Sequence, residues 1–276
     1  MVELARALGL NEAAILETFQ LGALAFTRIL VAISLVPFFG GKIIKQRVKM
    51  GVATALFLVL APAAFPAEGE PIRLTSGIFA LLLMKEAIVG FVIGFLVALL
   101  FHAVEAAGRF IDLARGASMA QLMAPQVGSQ VSLFGQIYLQ VTIVIFLAIG
   151  GHHAFLRGLG RSFELIPVTE LPAMVRGGEA LGSLMIQTTS NLFGIALQLA
   201  APAAVATFVT DVFLGIANKV APQIQVFFLG MPLKAMIGIL MIFFVFGMLK
   251  DEIVRTTGRA IDDMSNGIRL LTVRDE

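Results

Sequence analysis

The sequence has no cysteine and few charged side chains. The absence of cysteine excludes disulfide bonds and thiolate metal sites, and it leaves the redox compartment of the protein undetermined. Only 14% of the 276 residues are charged, against about 25% in an average soluble protein, whereas 58% are hydrophobic and the mean hydropathy is +0.94. So few polar side chains cannot cover the surface of a water-soluble protein. We therefore predict a single polytopic, all-α, membrane-type domain over residues 1–276.

The sequence also lacks the usual signatures of catalysis. It contains no H-E-x-x-H, G-x-S-x-G, Walker A or G-x-G-x-x-G motif. The histidines are His102, His152 and His153, and the adjacent pair cannot both face one metal ion from a regular helix. The net charge is only +2 and the basic residues are scattered, which argues against binding to nucleic acid. We expect no enzymatic activity, no metal site and no cofactor.

Apolar runs define the predicted membrane helices. About 20 residues are needed to cross a hydrocarbon core about 30 Å thick, and runs of this length lie near residues 15–39, 74–101, 131–151, 180–217 and 226–249. Residues 50–65 form a shorter sixth run. Because the run at 180–217 is too long for one crossing, Pro202 is expected to split it into a hairpin. Residues 15–249 are then hairpin-like helices with broken segments, followed by an amphipathic tail at 250–276.

Basic residues predict the orientation of the chain. The densest basic cluster, Lys42 to Lys49, and the basic tail at 250–276 both indicate the cytoplasmic side of the membrane. An even number of crossings must then separate them, which favours the hairpin at Pro202. The N-terminal segment 1–14 has no basic region followed by a small-residue cleavage site, so we expect no removable signal peptide.

Ionisable residues occur inside the apolar runs, namely Arg28, Lys85, Glu86, Asp211 and Lys234. A charge in the middle of a membrane span costs at least about 2.5–3.5 kcal/mol, so each must meet a partner, a cavity or water. Structural ion pairs, a proton or substrate relay, and burial inside an oligomer all remain open. Lys85 and Glu86 point about 100° apart on a helix, so we expect each to find its main partner on another helix.

The run that contains these two residues has a close-packing face. Glu86, Gly90 and Gly94 lie at spacings of four residues, and the two glycines form a small-xxx-small step that lets two helix backbones approach. A carboxylate in line with such a step predicts a buried contact between helices.

A polar stripe follows on the same helix. Spacings of three and four residues place side chains of alternating sign on one face: His102, Glu105, Arg109, Asp112 and Arg115. The stripe is either a self-paired surface in water or a polar contact line to a neighbouring subunit or an aqueous pore.

A stretch without formal charge comes next, from Gly116 to Gln130. Glycine, small residues and Pro125 prevent a regular helix throughout, and the methionines provide adaptable apolar contacts. The candidate residues are Gly116, Ala117, Ser118, Met119, Ala120, Gln121, Leu122, Met123 and Gly128. Composition alone leaves open a plain connector or a loop that occludes something.

Four motifs in a fixed order carry a resemblance to a known family. They are KEAIVGFVIG at 85–94, AGRFID with RGASMA over 107–120, GHH with RSF and a proline over 151–167, and APQIQVFF with MPLK over 221–234. Over roughly residues 15–255, they resemble the FliR/SctT family, which supplies an export-gate subunit of flagellar and injectisome type III secretion. The motifs Gly151-His152 and Ser162-Phe163 favour the flagellar type, whereas Arg-Gly-Ala-Ser at 115–118 is more similar to injectisome members.

The resemblance implies a fold, partners and a location. The chain would resemble a fusion of FliP-like and FliQ-like folds. It would join FliP-like/SctR and FliQ-like/SctS subunits in a helical, cone-shaped entrance to the secretion channel, in the company of FlhB-like/SctU and FlhA-like/SctV components. Membrane lipid and unfolded secretion substrates in transit are the other expected contacts. The expected location is the bacterial inner membrane, at a flagellar or injectisome basal body.

The resemblance also assigns two segments. It places a channel plug at residues 116–130, although this chain has Ala124-Pro125 where the family commonly has Asp-Pro or Asn-Pro. It marks Ala221, Pro222, Gln223 and Pro232 as a family turn motif. We predict a turn over 221–226, with Pro222 ending the regular helix.

Two other functions remain possible from the residues alone. A small secondary transporter would break its helices at Pro202 and Pro232 and bind a solute near Asp211 and Lys234. If the chain were an inert membrane scaffold, the loop at residues 116–130 would not affect the permeability of the membrane. No convincing internal repeat supports the transporter.

Overall fold

The computed structural model describes residues 12–40, 45–65, 76–116, 132–170, 174–222 and 226–272. Within these ranges the protein contains helices and no strand. The helices are α1 (Glu12–Leu35), α2 (Pro37–Gly40), α3 (Gln46–Ala64), α4 (Ser76–Ala114), α5 (Leu133–Ala148), α6 (Gly151–Leu165), α7 (Met174–Val220) and α8 (Val226–Thr272). The all-α fold predicted from the sequence is confirmed.

The helices are long and apolar enough for a multi-pass membrane protein. In the described part of the chain, four spans qualify by length and composition, within α1, α3, α4 and α7. Two bent pairs, α5 with α6 and the two halves of α8, are apolar enough only when each pair is taken together, so the total is up to six if each pair is one span. The five apolar runs and the shorter sixth run of the sequence analysis match the upper value, and a seventh run would have required the hairpin at Pro202.

Helix α7 corrects the prediction for Pro202. The helix runs without a break from Met174 to Val220 and contains Pro202, so the predicted hairpin is wrong. Proline removes one backbone hydrogen bond. A hairpin in apolar surroundings would instead expose many unpaired backbone groups, which costs more than one lost bond. Helices α3 and α8 likewise continue through Pro62 and Pro232.

A sharp bend separates α5 from α6. The two helices meet at 72°, and Gly150 between them has a φ of +78°. Only glycine adopts that backbone conformation readily. The bend therefore depends on Gly150, which precedes the Gly151-His152 motif.

The chain forms two compact units. The first comprises Met1–Ala98, His152–Ile186 and Ala260–Glu276. Its large, fully buried apolar side chains come from α1, α4 and α6 and include Leu24, Ile29, Ile33, Ile93, Leu96 and Phe155. Phe57 of α3 packs edge-on against Phe26 of α1, with ring centroids 6.1 Å apart.

The second unit comprises Leu99–Gly151 and Gln187–Arg259. Its core joins α4, α5, α7 and α8 through the buried residues Val104, Ala107, Ile111, Phe134, Tyr138, Ala196, Leu199, Ala200, Ala203, Leu249 and Ile253. Large apolar side chains on α7 nevertheless face outward, among them Phe193, Phe208, Val209, Phe213 and Ile216. A surface of this kind requires lipid or another protein as its neighbour.

The continuity of α7 predicts a distance that a hairpin could not give. Gly194 and Gly215 flank Pro202, and a Cβ atom at either position meets no other atom within 4 Å. The sequence has no cysteine, so a Gly194→Cys/Gly215→Cys variant carries the only two thiols of this chain for spin labels. We expect a Cα separation of about 30 Å from the helical rise of 1.5 Å per residue.

Pulsed electron spin resonance on the labelled chain in detergent measures this separation. Two antiparallel helices packed at 8–10 Å would place the same positions within about 15 Å of each other. A distance in that short range would contradict the continuous helix.

Candidate functional site

Arg28 of α1 is completely buried and uses all of its hydrogen-bond donors. Its Nε and Nη2 donate to the two carboxylate oxygens of Glu86, at 2.5 and 2.9 Å. Nη1 donates to the backbone oxygen and the hydroxyl oxygen of Ser162, and Nη2 also donates to the backbone oxygen of Ile166 at 2.7 Å. The guanidinium lies 4.3 Å from the centre of the Phe163 ring. A buried arginine needs a charged partner and a hydrogen-bond acceptor for each donor, and Arg28 has both.

Lys85 is also buried and finds its partners after the end of α6. Its Nζ donates to the backbone oxygens of Pro167, Val168 and Glu170, at 2.8 to 3.1 Å. Nζ also lies 2.5 Å from Oε1 of Glu86. The contact between Lys85 and Glu86 was not predicted, because adjacent helical positions point about 100° apart. The flexible four-carbon stem of lysine bridges the divergence.

These residues form one buried cluster of two cations and one anion. Arg28, Lys85 and Glu86 together carry a formal charge of +1, and the remaining compensation comes from backbone carbonyls at and just beyond the end of α6. The carbonyl end of a helix carries partial negative charge. The cluster thereby holds α1, α4 and the end of α6 together, which is the role expected of a structural ion pair.

The glycine face of α4 packs on the backbone of α1. A Cβ atom at Gly90 would lie 2.5 Å from the backbone oxygen of Arg28, and one at Gly94 would lie 2.5 Å from that of Ala32. No real side chain fits in those gaps, so both positions require glycine. The contact predicted from the small-xxx-small step lies inside this chain, next to Glu86.

The first half of the polar stripe is self-paired and open. Arg109 Nη2 donates to Glu105 Oε1 at 2.6 Å, and His102 Nδ1 lies 3.6 Å from Glu105 Oε2. The Arg109 side chain is 61% exposed. Paired exposed charges of this kind contribute at most about 1 kcal/mol to stability.

The second half of the stripe is buried and reaches another helix. Asp112 accepts from Arg115 Nη2 at 2.5 Å through Oδ1. Through Oδ2 it accepts from the Ser132 hydroxyl at 2.6 Å and from the backbone N–H of Phe134 at 3.1 Å. The Arg115 guanidinium lies 3.9 Å from the centre of the Phe134 ring. One carboxylate thus joins the end of α4 to the start of α5.

Glycines bring the same two helices into backbone contact. A Cβ atom at Gly108 would lie 2.5 Å from the backbone nitrogen of Gly135. Ser132 caps α5 by accepting from the N–H of Gly135 at 2.9 Å. At the other helix end, Gly116 has a φ of +76° and donates its N–H to the backbone oxygen of Leu113, which is a common way for a helix to stop.

Of the candidate plug residues, the structure describes Gly116 alone. The remaining ones, Ala117, Ser118, Met119, Ala120, Gln121, Leu122, Met123 and Gly128, lie outside the described residues. The described chain leaves α4 at Gly116 and resumes at Ser132.

Asp211 of α7 and Lys234 of α8 form an ion pair with each other. The Asp211 side chain is 49% exposed. Each charge that the transporter hypothesis assigned to a solute therefore already has a protein partner.

In the described ranges, no group of three histidine, aspartate or glutamate residues could hold a metal ion.

The family turn motif lies between α7 and α8. Helix α7 ends at Val220, and Ala221 donates its N–H to the backbone oxygen of Ala217. Pro222 follows in a turn, while residues 223–225, Gln223 among them, lie outside the described residues. Val226, which the prediction placed in the turn, is the first residue of α8. Pro232 is inside α8.

Comparison with known proteins identifies the family. The family model for bacterial export proteins, family 1, matches residues 19–260. The chain belongs to the FliR/SctT family. Flagellar biosynthetic protein FliR of Bacillus subtilis (strain 168) is 30% identical over 261 residues, which are 94% of this chain and 98% of the relative.

Other relatives of this FliR/SctT chain come from both kinds of secretion system. Flagellar biosynthetic protein FliR of Escherichia coli (strain K12) is 30% identical over 217 residues, 77% of this chain and 78% of the relative. Yop proteins translocation protein T of Yersinia pestis is 34% identical over 193 residues, 70% of this chain and 72% of the relative.

Sequence reasoning missed the residues that fix the start of α5 in this FliR/SctT chain. Ser132 and Gly135 were not singled out, although a serine directly before an apolar run is a helix-start signal. Their link to Asp112 could not be read from the sequence, because the partners are 20 positions apart and meet only after folding.

Removing the anion of the buried cluster should destabilise the protein strongly. Glu86→Gln leaves two buried cations without a carboxylate, and breaking a buried pair in this way costs about 3–5 kcal/mol. Thermal unfolding of the purified chain in detergent measures the change. Glu105→Gln on the same helix is the matched control, and its exposed pairs should cost less than about 1 kcal/mol. Equal losses in the two variants would contradict the structural role of the cluster.

Proposed function

We propose that this chain is a core subunit of a type III secretion export gate of the flagellar type. The observation that carries the proposal is the match to Bacillus subtilis FliR over 98% of that protein. The shorter matched share of Yop proteins translocation protein T supports the flagellar over the injectisome type. Four to six apolar spans are compatible with a multi-pass subunit, and the bacterial inner membrane is the proposed location.

The proposed partners are other membrane subunits of the gate. FliP-like/SctR and FliQ-like/SctS subunits would surround this chain at the channel entrance, with FlhB-like/SctU and FlhA-like/SctV components nearby. The outward-facing phenylalanines of α7, such as Phe208 and Phe213, support a protein that needs apolar neighbours. The family resemblance implies that the energy for export would come from a proton gradient and separate ATPase components.

The segment 116–130 is the proposed plug of the closed channel. Met119, Leu122 and Met123 would pack against apolar rings of the partner subunits, because flexible thioether and aliphatic side chains fill irregular gaps. Gly116 and Gly128 would act as hinges. The positive φ of Gly116 supports a chain reversal at the first hinge. Such a plug would yield to an unfolded chain and then reseal the pore against ions.

Ion leakage of the assembled complex tests the plug. Replacing residues 117–130 by a short Gly-Ser linker should raise leakage, and a Met119→Ser/Leu122→Ser/Met123→Ser variant should do the same because it removes only the apolar seal. Gln121→Ser is the matched control and should stay tight. Leakage is measured in liposomes with an ion-sensitive dye, after native mass spectrometry confirms assembly. Intact complexes that remain equally tight in all variants would overturn the plug.

A further inference from the structure

We propose that α7 docks a helix of a neighbouring gate subunit through a stripe of three exposed amide side chains. This amide stripe consists of Gln187, Asn191 and Gln198, all in the second unit. The helix that packs on it would be apolar and uncharged, with amide or hydroxyl side chains along its contacting face. The inference rests on the proposed function, because the export gate supplies the neighbouring subunit.

The three amides share one face of α7. At about 100° per residue, positions 187, 191 and 198 fall within an arc of about 40°, and position 194 lies beside them. All three amide side chains are exposed. A Cβ atom at Gly194 would meet no other atom within 4 Å, so another helix backbone has room to approach here. The amide stripe is therefore an open surface about 16 Å long.

The packing of the second unit fixes the direction of this face. The buried core of that unit contains Ala196, Leu199, Ala200 and Ala203 of α7. These positions are centred about 170° away from the amide stripe around the helix axis. The face that carries the amides therefore points away from the core of the unit.

The surroundings of the amide stripe favour a protein neighbour over water. Phe193 and Leu197 lie along one side of it and are 57% and 56% exposed. From residue 180 to residue 210, α7 has no formally charged side chain. An exposed surface this apolar marks a contact with protein or membrane rather than with water.

The amides themselves favour protein over lipid. An amide side chain has two N–H donors and an acceptor oxygen, and lipid tails can pair with neither. The buried hydroxyls of Thr207 and Thr210, on the same helix, donate to backbone oxygens of the preceding turn at 3.0 and 2.8 Å. In the described part of the chain, the amides of the stripe have no such hydrogen bond. A second helix with polar side chains would supply the missing partners.

The chemistry of the amide stripe also selects the kind of helix that fits. Amides both donate and accept, so asparagine, glutamine, serine and threonine are all suitable partners. A charged side chain would lose its hydration against this face without gaining an opposite charge, which is unfavourable. The contacting face of the partner is therefore uncharged, with polar groups spaced along a helix.

Exchange of one amide tests the stripe. Asn191→Leu keeps a side chain of similar size but removes its hydrogen bonds. It should lower the fraction of the chain that assembles with co-expressed FliP-like and FliQ-like subunits about threefold or more. Native mass spectrometry of the detergent extract measures this fraction. Thermal unfolding of the isolated chain should stay unchanged, because the amide stabilises no contact within it.

Asn218→Leu is the matched control. It makes the same exchange at another exposed position of α7, about 200° away from Gln198 around the helix axis. This variant should assemble like the unmodified chain. Equal losses of assembly in the two variants would overturn the proposal, since they would not depend on the face of the helix.

A photo-crosslinker identifies the neighbour directly. The photoreactive residue p-benzoylphenylalanine, placed at position 191 instead of Asn191, should crosslink in the membrane to a FliP-like or FliQ-like subunit. Mass spectrometry of the crosslinked product identifies what it has bonded to. A bond to lipid alone or to a second copy of this chain would overturn the proposal, and so would the absence of any crosslink to another subunit.

The proposed function and the amide stripe fail in different ways. If the unmodified chain does not assemble with the co-expressed subunits, the proposed function fails and this inference with it. If the unmodified chain assembles and Asn191→Leu assembles equally well, the proposed function stands and this inference fails. If Asn191→Leu does not fold, the crosslinker decides alone: a bond to another gate subunit supports the inference, and any other result overturns it.

Discussion

The charge of Arg28 can be buried in this protein only where several other elements supply partners. Its five donors need a carboxylate from α4 and oxygens from α6 and from Ile166 just beyond it, so three parts of the chain must meet at one point before the guanidinium is satisfied. Glu86 compensates both Arg28 and Lys85. Gly90 then allows the α4 backbone to approach the α1 backbone at the residue that carries this charge. The packing of the first unit therefore follows from the cost of one buried cation.

The second unit uses the same chemistry at smaller scale. A single carboxylate, Asp112, satisfies donors from the end of α4 and from the start of α5. Among the described residues, the pair of Glu105 and Arg109 on the same helix has no such donor from α5, and a pair of this kind contributes at most about 1 kcal/mol. Both sites pair a carboxylate with an arginine. They differ in burial, and only the buried carboxylate, Asp112, connects two helices.

The sequence predicts the helices and the unusual charges well, because apolar runs and isolated ionisable residues are local features. It also predicts that Arg28 and Glu86 require partners, but not which ones, since the partners of Arg28 lie as far as 138 positions away. The Pro202 prediction failed because helix-breaking preference is a local rule, and it is overridden where unpaired backbone groups would face an apolar environment. Ser132 as a helix cap is a local signal that the sequence does carry, whereas its hydrogen bond to Asp112 joins residues 20 positions apart and could not be predicted.

Membership of an export gate is the central claim, and assembly tests it most directly. The chain would be co-expressed with FliP-like and FliQ-like subunits from the same genome, extracted in detergent by a tag on this chain, and weighed by native mass spectrometry. The account predicts one large hetero-oligomer that contains all three proteins. A stable chain without partners, obtained although both other proteins are present in the membrane, would contradict it.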